Sequence, residues 1–291
     1  MILRDKPGIL ALLFAVRGSV LPVIAPQLLF VALFSTAVVA IDRFVWTLPH
    51  VQAAPLAVFG VALSLFLGFR NNAAYDRWWE ARRLWGGLLA DARAIAREAE
   101  IFLPDATDRR RLLTAIRAFL HQHRCALRGL PNDAAALRDV PSTTPDTTLD
   151  AMALHLAEAH REGRMDGFGA RTLSTRLSTI ALAQAGCERI KLTPLPYVYS
   201  LLIFRTSWLY CLLLPFALLE PTGWLTPVFA VIVAYTFFGL AEVTEELAHP
   251  FGLTANALPL DAICRTAEIS LAPHLDEPPP PPLQPVDYRL D

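Results

Sequence analysis

Leu63-Ser64-Leu65-Phe66-Leu67-Gly68-Phe69-Arg70-Asn71-Asn72-Ala73-Ala74-Tyr75-Asp76-Arg77-Trp78-Trp79-Glu80-Ala81-Arg82 carries a lipid-grade apolar run into a charged, tryptophan-paired one with no breaker between them. The pattern predicts a helix that leaves a membrane without ending. Val61, Leu65 and Phe69 recur every four residues and so share one face, and Gly60, Ser64 and Gly68 form the adjacent stripe at the same spacing. One stripe is bulky and oily. The other is small enough for close helix approach, the small-xxx-small arrangement by which membrane helices associate. A ring of such helices, packed through the small stripe, points three apolar layers at a shared axis. The same residues serve equally as lipid or core contacts of an ordinary membrane helix.

The rest of the chain agrees with a membrane reading. Its 291 residues are 54% hydrophobic, with a mean hydropathy of +0.39, above the usual soluble globule. A formal net charge of -1, without a basic cluster interleaved with aromatics, argues against nucleic acid as a partner. Cys125, Cys187, Cys211 and Cys264 are far apart, with no Cys-x-x-Cys pair and no His at ligand spacing. They suggest neither a metal site nor a disulfide framework. The run Ile9 to Val16 carries Pro7 and Arg17 at its flanks and no small-residue cleavage site, so it does not read as a cleaved signal peptide.

Four nearly uncharged segments stand in two pairs. Ser19 to Ile41 and Phe44 to Phe69 are separated by Asp42 and Arg43; Tyr197 to Leu219 and Pro221 to Ala241 are separated by Glu220. Each approaches the ~20 residues that cross a ~30 Å hydrocarbon layer as helix, with Trp46 to Pro55 expected as a turn and re-entry. Arg4, Lys6 and Arg17 precede the first pair, and Arg70, Arg77, Arg82, Arg83, Arg93 and Arg97 follow it. By the positive-inside rule both hairpin loops face out and both termini face the cytoplasm of a cell inner membrane.

Residues 70–190 show Leu and Ala at helical spacing with charges on alternate faces, and strand-like alternation is absent. The expected fold is therefore an all-α membrane protein, with four transmembrane helices in two hairpins (19–69 and 197–241) plus a helical cytoplasmic bundle (70–190 and 242–275). Pro131 to Thr148 reads as a loop, and Thr107 or Asp108 as the cap of the helix that follows Pro104. The tail 276–291 contains five consecutive prolines, Pro278 to Pro282, which favour solvated polyproline II. It either lies along a neighbouring subunit or is disordered.

Glu242, Glu245 and Glu246 cluster at the end of the fourth segment, with His249 close by. They read as a helix-end polar cluster that holds the Arg-rich second helix. His121 and His123 lie on different helix faces and do not share a metal. Trp78 and Trp79 are placed to anchor helices at the membrane boundary. No phosphate loop and no nucleophile elbow is present, and no convergent acid, base and nucleophile set suggests an enzyme or a cofactor. The two hairpins show no inverted repeat beyond their similar length, which argues against substrate-coupled transport.

Gly68-Phe69 closing the apolar run, Trp78-Trp79, and His249-Pro250-Phe251-Gly252 after an acidic helix resemble the bestrophin family, specifically its bacterial branch. Arg17-Gly18-Ser19, Gly186-Cys187-Glu188-Arg189-Ile190 and Thr193-Pro194-Leu195-Pro196-Tyr197 are similar to that branch too. The likeness covers Arg4 to Asp261. It implies a homopentameric ion channel, with residues 1–275 as one channel domain, an axial pore, a hydrophobic neck and a second, cytoplasmic constriction. The family's neck positions carry over onto Val61, Leu65 and Phe69, and its aperture onto Phe168. Asn71, Asn72, Asp76 and Arg205 are candidate vestibule residues; Arg205 alternatively pairs with Asp42 or a carbonyl, or snorkels.

The family's animal members bind calcium in an acidic run after Pro-Phe-Gly. Here Leu253-Thr254-Ala255-Asn256-Ala257 offers no carboxylate, and calcium wants six to eight oxygens, several of them anionic. No calcium gating through this clasp is expected. The family includes chloride-favouring and sodium-favouring members, and three apolar rings carry no charge by which to choose. A reading from another class is a membrane-anchored scaffold that docks a soluble partner through its helical bundle and Pro-rich tail. It predicts partner binding that tolerates Phe69→Ala but not removal of Pro278 to Pro282.

Overall fold

Fifty residues, Ala53–Phe102, form one uninterrupted helix, α2, across the apolar-to-charged transition. The computed structural model describes residues 1–2, 8–9, 15–16, 18–138 and 140–291. Arg4, Lys6, Pro7, Arg17 and most of the run from Ile9 to Val16 therefore lie outside the described residues. The other helices among the described residues are α1 (Leu21–Phe44), α3 (Ala106–Arg128), α4 (Pro145–Arg161), α5 (Gly167–Leu192), α6 (Tyr197–Thr222), α7 (Thr226–Ala248) and α8 (Leu260–Leu271), with short 3-10 turns at Gly223–Leu225 and Ala272–Leu275. Among the described residues the only β pairing is two isolated bridges, Ile2 with Arg289 and Val286 with Arg289.

The chain divides into two compact units, Lys6–Trp78 with Pro194–His249, and Trp79–Thr193 with Pro250–Asp291 and Met1–Asp5. The first unit is apolar. It holds α1, the first part of α2, α6 and α7, and α1 packs against α7 and α6. Among the described residues three helical stretches, Leu21–Phe44, Ala53–Phe102 and Tyr197–Ala248, are long and apolar enough to cross a membrane. Only 28%, 28% and 33% of their most apolar windows are buried within the chain, so most of that surface is left for lipid or for other subunits.

The third stretch folds as two helices because Gly223 adopts φ +51°, which terminates α6, and Pro227 stands in the first turn of α7. Thr222 and Thr226 both donate to the Leu218 carbonyl, at 2.8 and 3.1 Å, and so satisfy an orphan acceptor at the break. The break thus falls three residues beyond the expected Glu220. At the other hairpin Phe44 closes α1 instead of opening the second span. Asp42 accepts from the Leu48 backbone at 2.9 Å, which holds the turn, and α2 starts only at Ala53.

The second unit is built around α3, which packs against α4, α5 and α8. Its N-cap is Asp105, accepting from Thr107 N at 2.7 Å. Neither Thr107 nor Asp108 caps the helix, because only Asp105 sits before the first turn with extended backbone. The loop after α3 is shorter than expected, since Thr144 and Thr147 form a capping box that starts α4 at Pro145. Buried Gln122 ties this loop down, donating to Ala136 and Ser142 carbonyls at 2.9 and 2.8 Å and accepting from Thr148 at 2.6 Å. Arg176 makes a forked contact with Glu98 at 2.8 and 2.9 Å.

The Pro-rich tail lies along its own chain, which neither expected alternative anticipated. Glu277 accepts from Arg117 at 2.7 Å and Arg110 at 3.3 Å. Leu290 N donates to the Met1 carbonyl at 2.9 Å, and the Asp291 carbonyl accepts from Ala262 N at 2.8 Å in the first turn of α8.

His121 and His123 diverge as their spacing requires. His121 contacts Glu268 at 2.9 Å. His123 is stacked on Trp85 and Phe119, with ring centroids at 5.5 and 5.7 Å, and neither ring nitrogen has a hydrogen-bond partner. Burial pushes its imidazole down from 6.5 to about 3. The folded state refuses a proton that the unfolded chain accepts, so stability falls as pH drops below 6.5 toward about 3. The expected slope from this residue is up to about 1.4 kcal/mol per pH unit. Thermal unfolding of His123→Phe, which keeps the stack and removes the titration, should show a smaller acid loss than the parent; equal losses would contradict this.

Candidate functional site

Helix α2 has two opposed faces along its apolar part. Leu56, Gly60, Leu63, Leu67, Arg70 and Ala74 are buried, a repeat of three and four residues that makes a single seam. Leu56, Leu63 and Leu67 join a core with Ile203, Tyr210, Cys211 and Leu214 of α6. At Gly60 a Cβ would lie 2.7 Å from the Tyr210 hydroxyl, so this glycine permits close approach to α6 of the same chain. At Gly68 a Cβ would meet nothing within 4 Å, and Ser64 is exposed. The small-residue stripe is therefore used internally only at Gly60.

The opposite face carries Val61, Leu65 and Phe69, which are 71%, 57% and 61% exposed. Asn72 and Asp76 follow on the same face at steps of three and four residues, and both are exposed. The oily stripe thus continues into an amide and a carboxylate with no break. Asp76 makes no ion pair or hydrogen bond among the described residues, so the pairing with Arg77 or Arg82 that its sequence neighbours allow is not made.

What fixes the orientation of α2 is polar. Arg70 continues the buried seam, with its side chain 7% exposed, and donates to Glu245 Oε2 at 2.7 Å and Ser200 Oγ at 2.8 Å. One heptad on, Arg77 donates to the Ala248 carbonyl at 2.7 Å, which places a cation on the C-terminal end of the α7 dipole. Thr244 Oγ1 lies 3.4 Å from Asn71 Oδ1 and donates to Leu240 O at 2.7 Å. Asn71 therefore sits on the packed side of α2, whereas Asn72 stays on the open face. The acidic cluster does hold the Arg-rich helix, as expected, with Glu245 paired to Arg70; the signal in the sequence for this partner is the heptad step from Leu63 to Arg70 to Arg77.

The remaining candidates lie elsewhere. Arg205, on α6, is exposed and makes no ion pair or hydrogen bond among the described residues. The pair with Asp42 is absent, because Asp42 is engaged by Leu48 N and lies 3.5 Å from His50. Phe168 is 80% exposed in the first turn of α5, just after the Asp166 N-cap, and belongs to the other unit. In the loop after Pro250-Phe251-Gly252, Leu258 N donates to Pro250 O at 2.8 Å, and Arg289 donates to the Leu253 carbonyl at 3.0 Å. A guanidinium seated on that carbonyl opposes a cation there. Among the described residues no group of three or more His, Cys, Asp or Glu side chains is arranged to hold a metal.

Sequence comparison matches residues 1–273 to the family described as Bacterial/Fungal Bestrophin protein. The chain is 45% identical to a voltage-dependent anion channel-forming protein of Mesorhizobium japonicum, covering 96% of this chain and 94% of that one. It is 39% identical to the voltage-dependent anion channel-forming protein YneE of Escherichia coli K12, over 95% of each. Its fold is similar to the crystal structure of a bacterial bestrophin homologue from Klebsiella pneumoniae, with a TM-score of 0.83 and 33% identity, covering 88% of this chain and 100% of the other.

The clamp on α2 gives a direct test. Arg70→Met leaves Glu245 without its cation and Ser200 without its donor; because Glu245 is half exposed, water recovers part of the loss, and the expected cost is about 1–3 kcal/mol. Thermal unfolding of the purified protein should show this drop, and Arg70→Met with Glu245→Met should recover part of it. An unchanged melting temperature in the single variant would contradict the clamp.

Proposed function

Because the chain belongs to the bacterial and fungal bestrophin family, we propose that it is a homopentameric channel of the cell inner membrane that passes small monovalent anions passively through a neck of Val61, Leu65 and Phe69. It is a membrane protein of a channel family and not an enzyme. In this reading each subunit spans the bilayer four times, through α1, the apolar part of α2, α6 and α7, with both termini in the cytoplasm. Five copies of the open α2 face then stack as three apolar rings, and a narrow oily tube hosts water and hydrated ions poorly, so it gates by dewetting.

The single observation that carries the reading is the continuous exposed stripe from Val61 to Asp76 on a helix whose opposite face is clamped. Exposure of Val61, Leu65 and Phe69 alone suits lipid equally well, since acyl chains are as apolar as leucine. The continuation into Asn72 and Asp76, on a helix that does not end at the membrane, is what suits a water-filled path. The relatives named as voltage-dependent anion channel-forming proteins favour anions, and the exposed, unpaired Arg205 is a fixed positive charge available to attract them. Phe168 is the proposed cytoplasmic aperture. The channel reading is preferred to the scaffold reading because the family match is to channel-forming proteins; Glu277 and Arg289 anchor the two ends of the Pro-rich tail on the chain itself, while Pro278 and Pro279 stay exposed.

The test is a planar bilayer holding the purified protein between asymmetric sodium chloride solutions. The expected reversal potential lies near that of chloride. Leu65→Ala should raise the conductance, by about tenfold for each ~1.4 kcal/mol taken off the dewetting barrier. Reversal near the sodium potential would overturn the anion assignment, and absence of current from both the parent and Leu65→Ala would overturn the channel.

A further inference from the structure

The exposed ring of Phe168 stands on the first turn of α5, where packing against its own chain does little to place it. Its position follows from the backbone beneath it, the turn that leads from α4 into α5. Three fastenings hold that turn, all within one compact unit of the chain. Met165 is buried, and its carbonyl lies 3.1 Å from His160 Nδ1. A Cβ on Gly169 would lie 2.7 Å from Phe102 Cβ, so the start of α5 presses on the end of α2. Arg164 Nη1 donates to Asp108 Oδ2, in the first turn of α3.

Of the three, the last is an ion pair, and Asp108 is built to make it. Its carboxylate is buried at the N-terminal end of α3, where the helix dipole favours negative charge. His155 of α4 is buried against it, with Nε2 at 3.2 Å from the Asp108 carbonyl and 3.6 Å from Oδ1. Burial, with Arg111 nearby, holds this imidazole below its ordinary value against the opposing pull of Glu158. His155 is therefore neutral and leaves the Asp108 charge to Arg164. Arg164 also meets Glu162 at 2.8 Å, but Glu162 is mostly exposed and belongs to the same turn, so it ties the turn to no other helix.

We infer that Asp108 and Arg164 are positioning residues of the cytoplasmic aperture, their ion pair fixing how far Phe168 reaches into the path and so the largest anion that passes; this rests on the reading of Phe168 as that aperture. Burial of Met165 is non-directional and leaves the turn free to rock. A charge-assisted hydrogen bond has a set length and direction, and so holds it still. Exposed pairs contribute little of this kind because water competes for both partners. Here the carboxylate is enclosed beside His155, and a buried charge keeps its partner in one place. The two halves of the pair differ in what their loss leaves behind. Arg164→Met strands a buried carboxylate, whereas Asp108→Asn leaves Arg164 with Glu162.

The experiment is the reversal potential of the purified full-length protein in a planar bilayer with sodium chloride on one side and sodium gluconate on the other, which reads the permeability of a large anion against a small one. Asp108→Asn should raise the gluconate-to-chloride ratio by up to about tenfold, the value of one charge-assisted hydrogen bond. Arg164→Met, which breaks the pair from its other side, should move the ratio in the same direction and carries the test if Asp108→Asn does not fold. Phe168→Ala should raise the ratio too, and adding Asp108→Asn to it should change nothing more, because the pair acts through that ring. Glu162→Gln, which removes the other partner of Arg164, should keep the parent ratio. A rise in Phe168→Ala with none in Asp108→Asn or Arg164→Met would overturn the positioning role and leave the aperture standing. Additive effects in the double variant, or a rise in Glu162→Gln equal to that in Asp108→Asn, would do the same. An unchanged ratio in Phe168→Ala would overturn the aperture reading and the positioning role with it.

Discussion

Arg70 is the constraint on which the arrangement of α2 depends. A guanidinium that is 7% exposed, at the end of an apolar run, persists only when its charge and its donors are matched. Glu245 supplies the charge and Ser200 an acceptor. Together with Arg77 on the Ala248 carbonyl, these contacts pin one face of α2 to α6 and α7 at the level where apolar sequence becomes polar. Leu63 and Leu67 bury the same face on the apolar side of that point. The two kinds of interaction are in register because Leu63, Leu67, Arg70, Ala74 and Arg77 follow one helical seam. Hydrophobic burial sets which face turns inward, and the ion pair sets how far along its axis the helix can slide.

The consequence for function is geometric. A helix fixed on one side presents its other side reproducibly, and on α2 that side runs from Val61 through Leu65 and Phe69 to Asn72 and Asp76. Three large apolar groups followed by unpaired polar ones make sense where a dry constriction opens into a wet chamber. A helix that ended at Phe69 would place a loop at this point and lose the spacing. The 50-residue length of α2 is therefore part of the proposed site, as is the absence of any proline from Leu56 to Phe102.

Much of this was legible in the amino-acid order because membrane helices obey simple rules of length and period. The apolar runs, the uninterrupted second helix and the face shared by Val61, Leu65 and Phe69 follow from composition and a repeat of four. Helix ends were harder. Whether α3 is capped by Asp105 or by the neighbouring Thr107 depends on one backbone conformation, and Gly223, not Glu220, ends α6 because the chain takes its positive φ at that glycine. Partner choice was harder still. Asp42 looked available to Arg205, yet it is used by a backbone N–H six residues away, a local contact that a long-range guess overlooks. Likewise five prolines indicate an extended tail but not the Glu277 contacts with Arg110 and Arg117 that hold it.

The central claim is that Val61, Leu65 and Phe69 face water along a common axis. Cysteines placed singly at these three positions in a Cys125, Cys187, Cys211 and Cys264 replaced background, probed with a membrane-impermeant thiol reagent during current recording, test it most directly. The account predicts modification at all three, with a step fall in conductance, while a cysteine at Leu67 on the clamped face stays unreactive. Failure of all three to react under conducting conditions would contradict it.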